Sequence, residues 1–135
     1  MGVISEHKNK ISLYYHSGNS IGKQTKAYVA ASEKKILTRD LAKDKVTGTQ
    51  WVEIADGLGK SVNELINKKH PVFTKLYGEQ EIVMEENDWL KILDNHPETL
   101  ATPIVIIGGS FHQISSPSDF NTLITSDSAG LEKGE

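Results

Sequence analysis

At 135 residues, with 37% hydrophobic and 24% charged side chains, the chain has the size and composition of one globular domain able to bury its own core. A formal net charge of −3 excludes a broad basic footprint for nucleic acid or anionic membranes. No apolar run approaches the roughly 18–20 residues of a membrane span, and zero cysteine excludes disulfides, thiolate metal sites and thiol redox chemistry on this chain.

The first ten residues lack the charged-then-apolar layout of a signal peptide, so a cytoplasmic location is expected, and residues 1–9 read as a flexible polar start. Ile11 to Tyr15 is a strand rich in β-formers, followed by the turn chemistry of His16-Ser17-Gly18. Ile21, Thr25, Tyr28, Val29 and Ser32 recur at helical spacing, with Asn19 or Ser20 as N-cap and Lys34-Lys35 suited to the C-terminal end. Ile36 to Leu41 returns to strand. A strand, a helix and a strand in so short a span imply a right-handed crossover with parallel pairing.

From about residue 43 to 97 the pattern is helical and broken by glycine. Thr49 is the expected cap of a short helix carrying Trp51, Ile54 and Ala55 and ended by Gly57 and Gly59. Ser61 and Glu64 match a capping box ahead of Leu65 and Ile66. Pro71 interrupts, Val72 to Tyr77 adds about one more turn, and Gly78 stops it. Glu85 to Asp88 places negative charge ahead of Trp89, Ile92 and Leu93 in a helix ending before Pro97, and Trp51 and Trp89 read as core aromatics.

Thr102 to Ile107 is a near-continuous apolar run, as in a strand buried on both faces. Gly108-Gly109 turns it into a hairpin whose second arm is Ser110 to Ile114. Pro117 begins a last helix with Phe120, Leu123 and Ile124 on one face, and residues 125–135 read as a disordered tail. The order is β-α-β, a helical insert, then β-β-α. It predicts an α/β fold, a four-stranded mixed sheet flanked by helices, in a single domain over residues 10–124.

The chemistry-bearing segment is the loop between the first strand and helix. Gly18-Asn-Ser-Ile-Gly-Lys23 falls short of a phosphate-binding P-loop: three residues separate the glycines where four are required, and Gln24 takes the hydroxyl position. A helix N-terminus with Lys23 nearby would still attract a carboxylate, phosphate or sulfate. Asn19 holds a ligand through its amide or simply caps the helix. Ser20 is a nucleophile only if a base activates it, and His16 is the histidine nearest in sequence; a turn role for His16 is the plainer alternative. His70, His96 and His112 show no metal-ligand spacing, so no metal site is expected.

Tyr15-His-Ser-Gly-Asn-Ser-Ile-Gly-Lys-Gln-Thr-Lys26 resembles the active-site segment of the arsenate reductase-like (ArsC/Spx) family, whose fold is thioredoxin-like. Glu64 to Tyr77 is similar to that family's second signature, and Asp88 through His96-Pro97 to Val105 to its third. The resemblance places the family's nucleophilic cysteine at Asn19 and the second cysteine of some members at Gly22. It places two oxyanion-binding arginines near Lys69 and at Thr102, and it implies a cis peptide before Pro103, with Thr102 offering backbone groups to an extended ligand. The chain's single arginine, Arg39, lies on the second strand. Lys23, Lys68 and Lys69 keep positive charge without the bidentate guanidinium fork.

Arsenate reduction by the family mechanism is therefore not expected, and no catalytic residue is assigned. The leading expectation is a non-catalytic thioredoxin-fold domain that binds a small anion, glutathione or a protein partner, with no nucleic acid and no membrane. Its candidate ligand-binding residues are His16, Asn19, Ser20, Lys23, Lys69, Thr102 and Pro103. The protein-binding version follows the family's transcription-regulating relatives, which act as adaptors on RNA polymerase. The alternative is a glutathione-dependent reductase or transferase using the thiol of the bound tripeptide. No other cofactor is expected.

Overall fold

The computed structural model describes residues 11–31 and 36–123. Strand β1 (Ile11–Tyr15) is central: it pairs in parallel with β2 (Ile36–Asp40) and antiparallel with β3 (Ile104–Ile107). Strand β4 (Ser110–Gln113) completes the order β2-β1-β3-β4. Helix α1 (Ser20–Ala31) lies between the parallel strands in sequence, as a parallel pair requires. Between β2 and β3 come α2 (Gly48–Leu58), α3 (Pro71–Tyr77) and α4 (Glu86–Asn95), with 3-10 turns at Val62–Leu65 and Pro97–Thr99. A last helix, α5, occupies 117–123.

Alternation along β1 divides the core. Ile11, Leu13 and Tyr15 face Val105, Ile107, Ile114 and Phe120 on one side of the sheet. Tyr14 turns to the other side, where Trp51, Ile54, Leu65, Phe73, Trp89 and Leu93 pack. β3 is buried along its whole length, as its unbroken apolar run predicts. The register places Tyr15 opposite Asp40. The segments that leave β1 and β2 therefore emerge side by side, and this sets the position of the site.

Several local expectations shift. Thr47 caps α2 in place of Thr49: its hydroxyl accepts from the Gln50 N–H at 3.2 Å, and the Gln50 side chain accepts from the Thr47 N–H at 3.0 Å. That reciprocal box needs Gln or Glu three residues after the cap, which Thr49 lacks. Gly57 lies inside α2, where a Cβ would come within 2.3 Å of the Phe111 ring on β4. Gly59 is the cap that ends the helix, at φ 72. Pro71 opens α3, where a missing N–H leaves no bond unmade. Tyr28, expected on the buried face of α1, is 39% exposed, because Gly22 and Thr25 form that face.

The peptide before Pro103 is trans, and no cis bond occurs among the described residues. The ordinary preference of about 0.5–1 kcal/mol for trans holds there. The capping box at Ser61 and Glu64 forms as expected, and burial makes cores of Trp51 and Trp89. Residues 1–9, Ser32, Lys34-Lys35, Ile124 and 125–135 lie outside the described residues. Among the described residues no helix is long and apolar enough to cross a membrane.

Candidate functional site

The loop from His16 to Asn19 is held by backbone geometry more than by side-chain volume. The Gly18 N–H donates to His16 Nδ1 at 2.9 Å, and the Asn19 N–H to the His16 carbonyl at 3.1 Å. With Nδ1 accepting, the neutral His16 ring carries its proton on Nε2. Helix α1 then begins so close beneath the loop that a Cβ on Gly22 would sit 2.2 Å from the His16 carbonyl oxygen. No real Cβ contact is that short. The position where some members of the resembled family carry a second cysteine thus has no room here for any side chain.

From below, Asp40 fixes the loop to the end of β2. Its Oδ1 accepts from the Ser17 N–H at 3.0 Å and from the Ala42 N–H at 3.0 Å. Burial pushes this carboxyl up, but the Ser17 hydroxyl and the Ala42 and Ser17 amides outweigh burial. The net effect holds Asp40 below its ordinary value. Sequence reading missed Asp40; a lone acidic residue at a strand end carries no signal until the parallel register places it beside the loop.

Asn19 occupies the cap position, since its carbonyl accepts the first helical bond from Lys23 at 2.9 Å. Its side chain does something else: Nδ2 donates to the Glu98 carbonyl at 3.1 Å, across 79 residues of chain. The acceptor lies in the 3-10 turn Pro97–Thr99, which is itself a junction. The Asn67 N–H donates to the Thr99 carbonyl at 2.7 Å, and the Ala101 N–H to the Leu65 carbonyl at 2.8 Å. The site loop, the end of α4 and the segment before α3 are thereby fastened together at one point.

Beside this junction opens a groove of about 450 Å³. One wall is the first turn of α1, with Asn19, Ser20, Ile21 and Gln24; the opposite wall is Asn67 and His70 with Leu100 and Ala101. The entry to α5, Ser115 to Pro117, forms its rim. A second hollow, lined by Gln24, Ala27, Tyr28 and residues 116–118, continues the groove along α1. The candidates named from sequence separate here. Asn19 and Ser20 line the groove, whereas His16, Lys23, Lys69, Thr102 and Pro103 do not.

Each outlier has a local reason. Lys23 and Lys69 are exposed, with Lys69 using its N–H on Asn67 Oδ1 at 3.0 Å. Thr102 accepts from Gln113 Nε2 at 3.1 Å, and Pro103 is buried with its carbonyl receiving the Ile114 N–H at 2.9 Å. Lys68 turns to the insert, donating to the Asn63 carbonyl at 2.7 Å and lying 5.1 Å over the Trp89 ring. Desolvation lowers its amine, against an opposing pull from Glu64.

Gln24, Asn67, His70 and Ser116 were not anticipated. His70 had a legible signal: it stands directly before a helix-opening proline, where its Nδ1 accepts from the Val72 N–H at 3.1 Å. Ser116 and Asp119 carry the cap spacing, and the Ser116 N–H donates to Asp119 Oδ2 at 3.1 Å. Nothing local marks Asn67 or Gln24. A separate cleft of about 340 Å³ between residues 41–46 and the end of α4 contains none of these residues. Its exposed Lys45–Asp94 pair at 3.4 Å contributes little.

Compared with solved structures, the chain resembles the arsenate reductase from Vibrio cholerae. The TM-score is 0.70 at 14% identity, covering 86% of this chain and 98% of that one. The fold is thioredoxin-like. An arsenate reductase (ArsC) related protein from Brucella melitensis also matches, with TM-score 0.62 at 12% identity, over 90% of this chain and 96% of that one. These neighbours span almost their full lengths on it, so the thioredoxin-like architecture includes the helical insert. No family model matches the sequence, and no curated protein matches it.

Proposed function

We propose that this protein is a non-redox, arsenate reductase-like domain that binds a ligand in the groove between α1, the 66–70 segment and the start of α5. The observation that carries this reading is the commitment of Asn19. At the position where the resembled family places its nucleophile, a carboxamide is bonded to the Glu98 carbonyl and fastens the loop to the rest of the fold. An amide cannot become a thiolate, and no cysteine exists elsewhere in the chain to replace it.

The positive charge that an oxyanion needs is likewise elsewhere. Lys23 and Lys69 lie outside the groove lining, Lys68 is held on Trp89, and Arg39 lies 5.8 Å over the Tyr14 ring. The arsenate reductase activity named for the Vibrio cholerae neighbour is therefore not carried over to this chain. The expected result is no arsenate reduction above background with glutathione as reductant, measured by arsenite release. Turnover at a rate that depends on Ser20 would overturn the reading and support the glutathione-dependent enzyme.

Asn19→Cys separates scaffold from chemistry. A thiol at this helix N-terminus is expected to titrate below the ordinary value of about 8.5. Alkylation rate against pH measures it. An ordinary titration would mean that the loop no longer supplies the electrostatics of a thiolate site.

A further inference from the structure

We infer that the groove selects an uncharged, amide-bearing ligand of the blocked-peptide type, over an oxyanion or a charged thiol tripeptide. The inference rests on the binding reading above and specifies the ligand class for the same groove. Its basis is that internal hydrogen bonds fix the polarity of five side chains that line the cavity.

Asn19 and Gln24 present acceptors. Asn19 Nδ2 is spent on the Glu98 carbonyl, and Gln24 Nε2 donates to Ser20 Oγ at 3.2 Å. Their carbonyl oxygens, Oδ1 and Oε1, have no partner among the described residues. Three neighbours present donors. Asn67 Oδ1 receives the Lys69 N–H at 3.0 Å and leaves its Nδ2 available. His70 Nδ1 receives the Val72 N–H at 3.1 Å, so its Nε2 carries the proton. Ser20 Oγ accepts from Gln24 and keeps its own hydroxyl hydrogen.

No residue lining the groove or its continuation along α1 is Lys, Arg, Asp or Glu. A tetrahedral anion would satisfy the donors but would face two carbonyl oxygens it cannot pair, without a counter-charge. The first-turn amides of α1 favour an anion by their dipole, but Ser20, Gln24 and Asn67 are exposed, where that effect is small and screened by salt. A peptide amide carries one N–H and one C=O, and so matches a lining of fixed mixed polarity. Tyr28 and Pro117 flank the continuation of the groove and offer apolar surface to the remainder of such a ligand.

The test is a set of ¹H–¹⁵N correlation spectra of the full chain, titrated separately with N-acetylalanine methylamide, sodium sulfate and reduced glutathione. The blocked amide is expected to shift the side-chain NH₂ signals of Asn67 and Gln24 saturably, and sulfate to leave them unmoved. Asn67→Asp keeps the acceptor used by Lys69 and replaces the donor, so affinity should fall about tenfold or more. His70→Asn keeps a cap for Val72 and removes the Nε2 donor, and should weaken binding in the same direction. Saturation by sulfate or glutathione without response to the blocked amide overturns the ligand class and leaves the groove a binding site. Silence toward all three overturns both, and undiminished affinity in Asn67→Asp overturns the assigned polarity.

Discussion

On the insert side of the sheet, sixteen of the described residues form one buried cluster that includes Trp51, Phe73 and Trp89, with Phe73 and Trp89 stacked at 6.0 Å. On the opposite side seven of the described residues form the cluster, and α1 adds the small buried positions Gly22 and Thr25 with half-buried Val29 packed against it. The large cluster holds the fold by volume. The small one leaves the first turn of α1 polar and open beside the α5 entry, and the groove lies there. The groove and the large cluster meet at the insert's own edge, where Leu100 belongs to the cluster and also lines the groove beside Asn67 and His70.

Four substitutions probe this division. Trp51→Ala removes a side chain that is 1% exposed on the insert side and is expected to cost about 3–5 kcal/mol, read from chemical denaturation. A loss below 1 kcal/mol would mean that the insert is not the main store of stability. Gly22→Ala adds one methyl group on the opposite face, against the His16 carbonyl, and is expected to cost about 1–3 kcal/mol. Amide shifts should concentrate in residues 16–22, and changes spread over the insert would break the comparison.

Asp40→Asn tests the tie between β2 and the loop. The folded-state carboxyl lies below its ordinary value, so its contribution is present above that value and lost as pH falls through the folded one. At neutral pH the substitution should cost about 1–2 kcal/mol, the worth of charge-assisted bonds to amides. The gap between parent and variant should close on acidification, and a pH-independent gap would show that the charge contributes nothing. Thr47→Ala is the smallest effect, about 1 kcal/mol from the α2 cap. Thermal melts should show it with no change at the loop.

The fold was legible because its signals are local and repetitive. Ile11 to Tyr15 and the apolar run 104–107 announce strands by composition, and Ser61 with Glu64 announces a cap by spacing. Errors arose where two local solutions compete. Thr47 and Thr49 both stand at the start of the same helix, and only the reciprocal partner at Gln50 decides between them as cap. The lining of the groove was half legible. Asn19 and Ser20 are in the groove because they begin α1, whereas Asn67, His70 and Ser116 arrive from chain segments far away. Lys69 and Thr102 were named by family position, and neither lines it.

By itself the sequence determined the element order, the absence of thiol chemistry and the loop–helix entry at residues 16–23. Each follows from residue identity and short-range periodicity, which do not depend on distant neighbours. Only the tertiary structure decided what Asn19 does, that Gly22 admits no side chain, and which polar residues line the groove. Those outcomes depend on which backbone carbonyl or amide arrives within hydrogen-bonding reach, and that is set by strand register and the packing of the insert.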